Sequence, residues 1–287
     1  MDNKVIRLSD LIMFSEQKLC MGNDLILMDN PPCNEGYDFP FSTDYTICIV
    51  VSQGELQCIV DMAIHNIDTT GMLIIIQGQI IEKITFSKNF RGWLMIMSSD
   101  FLNRLDLENT FFLQKDTTSR CFFPLSMEQM HSLDNYYFMI KGMIQSDNPY
   151  KGKALKHLTL AYLYGFGAYI HTSISNMPSN RLEEITNEFL TLVRDNCRKH
   201  RDIPFYADIL KISPKHLSKA VSATTGDKAM SWIERYAVLN AKNLLRTTSY
   251  PISQIADLLS FGNQSDFGKY FKKSVGCSPS EFRKREI

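Results

Sequence analysis

Histidine is scarce in this chain, and its cysteines are dispersed. Six histidines and seven cysteines occur among 287 residues. Cys20, Cys33, Cys48, Cys58, Cys121, Cys197 and Cys277 are odd in number, scattered, and form no Cys-x-x-Cys pair. That pattern excludes a disulfide framework and points to free thiols in a reducing compartment. The strand-rich region offers only His65. An open metal site takes about three protein ligands, so neither a metal nor any other cofactor is expected there, and no nucleophile motif marks a catalytic residue. Long apolar runs are also missing. Met72 to Ile76, the most apolar stretch, is far too short to span a bilayer, and no apolar run follows Met1 to Lys4. A cytoplasmic protein without membrane contact is expected. Net charge is zero, with 31 basic and 31 acidic side chains, which speaks against a protein that coats nucleic acid with a uniformly basic surface.

The zero is a cancellation. Residues 180–287 hold 18 Lys and Arg against 12 Asp and Glu, an excess of six positive charges that the rest of the chain reverses. Such asymmetry predicts a basic polyanion-binding module joined to an acidic one. The Ser- and Asn-rich stretch with Pro178 precedes the change of sign. The expected division is residues 1–175, a linker at 176–180, and residues 181–287.

The first of these regions reads as mostly β. Short β-rich runs at Leu25 to Met28, Tyr45 to Ser52, Glu55 to Asp61, Met72 to Ile76, Ile80 to Phe86 and Trp93 to Met97 are separated by turn signals such as Ser52-Gln53-Gly54 and Gln77-Gly78-Gln79. Regular turns between short strands predict a sandwich or small barrel. Flanking helices are expected from Ser99 to Leu107, from Ser126, where Gln129 completes a capping box, and from Lys153 to Ile174. The last carries two apolar stripes: Leu155, Leu158, Tyr162, Gly165, Tyr169, and Leu160, Leu163, Gly167, Ile170, Ile174. A helix with two apolar sides needs two surfaces to bury against. Both could lie within one subunit. Alternatively the first stripe meets a second copy of the chain, the two glycines admitting a close backbone.

The C-terminal region is predicted to be all helical and contains one design twice. Phe205 to Lys219 reads as a short helix, a turn, and a second helix with Ser213 as cap and Pro214 at its first position. Ile252 to Lys273 repeats the plan, with a turn at Ser260 to Gly262 and Asn263 as cap. Both are helix-turn-helix grammar. A helix at Arg181 to Lys199 precedes them. Between them Asp227 to Arg246 has helical apolar spacing, with Gly226 ending the helix before and Asp227 placed to cap. At 1.5 Å per residue this spacer is about 30 Å long, close to the ~34 Å of one duplex turn.

These residues resemble the AraC/XylS class of bacterial transcription regulators. The resemblance covers about the last hundred residues. It rests on Ile212 to Ser218, Arg235 with Ala241 and Leu244-Leu245, Ile255-Ala256, and Phe267, Phe271, Lys272, Lys273, Gly276, Ser278, Pro279, Phe282 and Arg283. It implies a cupin-like barrel for the N-terminal region, hence an α+β chain, and a dimer formed through helices of that region. One departure stands out: the family pattern has Gly before Phe in the second turn, where this chain has Ser260-Phe261. A turn requiring positive φ would suit Gly better, so the turn is expected to shift onto Gly262. Arg235 is expected to tie the two units together.

Outward positions of a helix in the major groove meet base edges and phosphates. In the first unit Leu217, Ala220 and Val221 face inward, leaving Lys215, His216, Ser218, Lys219 and Ser222 toward DNA, with His216 as base reader. In the second, Phe267 and Phe271 face inward, leaving Asn263, Gln264, Ser265, Lys269 and Lys272, with Lys273 as a phosphate clamp. Gly268 fits either close approach of DNA or crowding by a neighbouring helix. The expected function is a sequence-specific, effector-responsive transcription regulator that is not an enzyme. Its partners would be double-stranded DNA and a second copy of the chain, with RNA polymerase a further candidate and the effector unnamed. Two alternatives stand beside it: an architectural DNA-binding protein without sequence preference, and a cupin enzyme fused to a DNA-binding module.

Overall fold

The computed structural model of the chain describes residues 18–31, 41–42, 45–105, 121–175 and 181–285. The stretch 176–180, expected as a linker, lies outside them. Two compact units are present, one chiefly residues 8–38 and 43–178, the other chiefly residues 179–287.

The first unit contains two open antiparallel sheets. One has the strand order β1 (Lys18–Met21), β2 (Leu25–Asp29), β8 (Arg91–Ser98), β3 (Tyr45–Gln53), β6 (Gly71–Ile75), β9 (Phe122–Pro124). The other contains the run β7 (Ile80–Phe86), β4 (Leu56–Val60), β5 (Ala63–Ile67). In the larger sheet Leu25, Leu27, Cys48, Val50, Met72, Ile74, Trp93, Met95 and Met97 form one core with the helices. Their alternates, among them Ile26, Ile49, Leu73 and Ile96, are buried as well. A sheet covered on both faces explains why these strands read as unbroken apolar runs.

No strand is expected over residues 62–67, yet β5 lies there. Asp61 and Met62 both have positive φ, 48° and 68°, which is the two-residue turn that matches strand twist. The sequence carries no Asn-Gly or Asp-Gly signal for it. Instead the turn is held by side chains: the Asp61 carboxylate accepts from the Ile80 N–H at 2.9 Å and from Gln79 at 3.1 Å, and Glu82 accepts from the Met62 N–H at 2.9 Å.

Helices α1 (Ser99–Arg104), α2 (Met127–Gln145) and α3 (Lys151–Ser175) accompany the larger sheet. The α1 cap is Ser98, whose side chain accepts from the Phe101 N–H. The capping box of Ser126 and Gln129 is present. Trp93 stacks on Tyr137 at 4.3 Å and donates to Asp134 at 2.7 Å, while the Tyr137 hydroxyl donates to Asp29 at 2.6 Å. Burial, with Asp29 next to it, raises the Tyr137 pKa.

The stripe of α3 expected to meet a second copy faces the core of its own chain. Leu155 and Tyr162 are fully buried, Leu158 and Tyr169 pack against the same core, and a Cβ at Gly165 would meet the Tyr136 ring at 3.4 Å. The neighbour that Gly165 accommodates is therefore an α2 side chain rather than a foreign backbone. Leu163 of the second stripe is buried and Leu160 packs on the same core, so these two positions of the second stripe turn inward as well. The exposed line of α3 is His157, Ala161, Tyr164 and Ala168.

Residues 181–285 of the second unit are built from helices alone: α4 (Arg181–Asn196), α5 (Ile203–Ile209), α6 (Pro214–Thr225), α7 (Ala229–Thr247), α8 (Ile252–Leu258), α9 (Gln264–Val275) and α10 (Pro279–Arg285). No helix among the described residues is long and apolar enough to cross a membrane.

Candidate nucleic-acid interface

The helical unit holds two pairs of helices built on one plan. Helices α5 and α8 are displaced by 49 residues and α6 and α9 by 50, so Gly262 is the additional residue of the second pair. Each turn leaves its first helix through a residue in the left-handed region, Lys211 at φ 54° and Ser260 at φ 52°. Matching backbone bonds close them: Ile212 N–H to Ala207 at 3.1 Å, and Phe261 N–H to Ala256 at 2.9 Å. The turn does not shift onto Gly262, whose φ is not positive. Ser260 takes the position itself, in a conformation that typically costs an L-residue about 1 kcal/mol.

The second helix of each pair starts and stops by local chemistry. Ser213 accepts from the His216 N–H and Asn263 from the Asp266 N–H, while Gly226 and Gly276 end α6 and α9 with φ of 78° and 88°. Leu217, Ala220 and Val221 are buried beneath α6, and Phe267 and Phe271 beneath α9.

The opposite faces are open. Lys215, His216, Lys219 and Ser222 are exposed on α6, with Ser218 half-buried. Asn263, Gln264, Ser265, Lys269, Lys272 and Lys273 are exposed around α9. A Cβ at Gly268 would meet nothing within 4 Å, so no neighbouring helix crowds that position. Two of the expected contacts have local duties. The Asn263 amide spends its oxygen on the Asp266 N–H and its nitrogen on the Asp266 carboxylate, both at 2.8 Å, and the Ser222 hydroxyl donates to the Asp227 carbonyl at 3.1 Å.

Helix α7 spans 19 residues, about 28 Å of axis. Its cap position is Lys228, without a side-chain bond. Asp227 instead accepts from Arg235 at 2.6 Å, and Arg235 also lies over the Trp232 ring at 5.3 Å. These contacts confine Arg235 to the start of α7, so it does not join the two pairs.

Arg201, which the sequence reading did not single out, makes that connection. From the loop after α4 it donates to the Leu259 carbonyl at the end of α8, donates to the Arg198 carbonyl at 3.1 Å, and covers the Phe261 ring at 4.1 Å. Burial lowers its pKa from the ordinary guanidinium value, and arginine still carries its charge. Around it, Arg198 donates to Asn240 of α7 at 2.8 Å, the Tyr270 hydroxyl of α9 donates to the Glu234 carbonyl at 3.3 Å, and Arg283 donates to the Leu245 carbonyl at 3.2 Å. An arginine in a loop gives no periodic signal. The Leu259 carbonyl and the Phe261 ring that it serves lie more than fifty residues downstream.

The described residues contain no group of three His, Cys, Asp or Glu side chains able to hold a metal ion. Comparison with known proteins points to the same helices. The family described as a helix-turn-helix domain matches residues 206–285. The arabinose operon regulatory protein of Salmonella typhimurium is 37% identical over 99 residues, 32% of this chain and 35% of that protein. Its counterpart in Escherichia coli is 33% identical over 114 residues, 40% of this chain and 38% of that protein. Among solved structures, the C-terminal domain of AraT, a response regulator from Geobacillus stearothermophilus, is 25% identical and covers 38% of this chain and 90% of its own, with a TM-score of 0.36. The matches to the two arabinose regulators thus span little more than a third of their length. Two turned helix pairs on one spacer, together with the family match, make residues 206–285 a helix-turn-helix domain, similar to the matched parts of the two arabinose operon regulatory proteins.

Proposed function

We propose that the protein is a sequence-specific transcription regulator whose helical unit reads two adjacent major-groove segments of duplex DNA. The observation that carries this is the pairing of α6 and α9. Both have fully buried inner faces and exposed, cation-bearing outer faces, and both are braced against one rigid helix of near duplex-turn length. Lys215, His216 and Lys219 are the main contacts of the first helix, and Gln264, Ser265, Lys269 and Lys272 those of the second. Lys273 serves as a phosphate contact. Because the Asn263 amide is engaged by Asp266, its part is to place the helix rather than to read a base.

The first unit supplies effector response and dimerisation. With the Leu155 stripe in the core, the large apolar side chains that α2 and α3 leave exposed among the described residues are Met127, Phe138, Met139 and Tyr164, and the reading assigns dimer contact to the outer faces that carry them.

Selection of duplexes from a random pool by the full chain tests the DNA assignment. A consensus with two half-sites is expected. Lys215→Ala with His216→Ala should weaken the selected duplex far more than random duplex, since each lost base contact relaxes discrimination by about 1–3 kcal/mol. Equal affinity for selected and random duplex would instead favour an architectural role, in which binding rests on backbone charge.

A further inference from the structure

The first unit has a groove of about 420 Å³ where the turn between β1 and β2, helix α1 and the first turns of α3 converge. That volume lies within the range of small-molecule sites. Its floor is apolar, from Met21, Phe101 and Leu105, the last two buried in the core. Its rim carries three charges, Asp24, Arg104 and Lys156. Asp24 and Arg104 pair at 2.5 Å. Asp24 is held in place by Ser98, whose N–H donates to its carbonyl at 2.9 Å and whose hydroxyl reaches its carboxylate at 3.4 Å.

Lys156 is half-buried and has no hydrogen-bond or ion-pair partner among the described residues. A cation partly withdrawn from water without a partner is a cost that an arriving anion removes. Arg104 gives one donor to Asp24 and keeps others of its five free. With Asp24 neutralising one of the two cations, the rim has a net charge of one. It is neutralised by a monoanion, whereas a dianion would leave one negative charge unbalanced.

We propose that this groove binds a small amphiphilic monocarboxylate of roughly a dozen heavy atoms. Its carboxylate sits between Lys156 and Arg104, and its apolar body lies on Phe101, Leu105 and Met21. The role of the site as the effector site rests on the regulator reading above; the binding itself does not.

Three probes with one apolar body separate charge from hydrophobicity: 4-phenylbutyrate, 4-phenylbutanol and 4-phenylbutylamine, titrated calorimetrically into the full chain. The carboxylate should bind saturably, the alcohol at least tenfold more weakly, and the amine more weakly still. Lys156→Gln should weaken the carboxylate at least tenfold and leave the alcohol unchanged. A Cβ at Gly152, which lines the groove, would meet nothing within 4 Å. Gly152→Leu therefore adds an apolar side chain at the groove lining with no clash at its Cβ and improves helix propensity. It should abolish binding of the carboxylate while the unliganded melting temperature holds or rises. Absence of saturable carboxylate binding, equal affinity for the alcohol, or undiminished binding in both variants would overturn the site. If the site survives these tests, affinity for the selected duplex is measured with and without saturating 4-phenylbutyrate. A change supports the effector role; no change overturns that role alone and leaves the binding site standing.

Discussion

Helices α6 and α9 are each twelve residues long, begin at a capped position and end on a left-handed glycine, yet they are supported and charged differently. Beneath α6 the core is aliphatic, from Leu217, Ala220 and Val221, and the sixteen-residue α4 flanks it, with Phe189 edge-on to Tyr206 at 5.5 Å. Beneath α9 the core is aromatic. Phe267, Phe271, Phe261 and Phe282 meet at 5.2–5.8 Å, and the flanking helix α10 has only seven residues. On the outside, α6 places Lys215, His216 and Lys219 in its first half. In α9 the positions of Lys215 and His216 are held by Ser265 and Asp266, Lys269 matches Lys219, and Lys272 and Lys273 add cations in the second half. One backbone plan, fixed by a turn in the left-handed region, a cap and a terminal glycine, thus tolerates two different cores and two charge patterns. The first head is suited to grip with cations at its amino end. The second is suited to read there with Gln264 and Ser265 and to hold phosphates further along.

The largest expected way to break this comparison lies in the aromatic core. Phe271→Ala should cost about 3–5 kcal/mol. Because α9 has less flanking support, amide exchange should accelerate through α8–α10 while α4–α6 stay protected. Uniform acceleration over both heads would mean that they do not differ in support. Next comes Arg201→Ala, which removes charge-assisted bonds to two carbonyls and the cover over Phe261. A loss of about 2–3 kcal/mol in denaturant melts is expected. Affinity for a two-site duplex should fall further than affinity for either half-site alone, because the heads lose their fixed spacing.

The charge contrast can be sharpened at one position. Asp266→Asn removes a negative charge from the α9 amino end, at a helix cost of up to about 1 kcal/mol. It should raise duplex affinity and steepen its salt dependence, whereas His216→Ala should lower affinity and relax preference at one base position. The smallest effects belong to the turns. Lys211→Gly and Ser260→Gly each relieve a left-handed residue, and each should raise stability by about 0.5–1 kcal/mol, read as a small increase in melting temperature.

What was legible in the sequence was local. Ser213, Asn263, Ser126 with Gln129, and Gly226 act on backbone groups within a few residues, so their chemistry can be read from spacing alone. The inward faces of α6 and α9 followed from helical periodicity. The misses depended on distant partners. Asp61 and Met62 turn a hairpin because Ile80, Gln79 and Glu82 hold them from another strand. Asp227 answers Arg235 rather than capping α7. The Leu155 stripe looked available because periodicity shows that a face is apolar without showing that α2 covers it. Ser260 took the strained turn position in place of Gly262 because the bond from Phe261 to Ala256 fixes the turn where the first unit has it.

The central claim is that α7 holds two reading helices in phase with the duplex. It is tested most directly by inserting half a helical turn of base pairs between the half-sites of the selected duplex and measuring the affinity of the full chain. The account predicts a fall to the affinity of a duplex carrying a single half-site, because a rigid spacer cannot follow a head to the far side of the helix. Affinity unchanged by the insertion would contradict it.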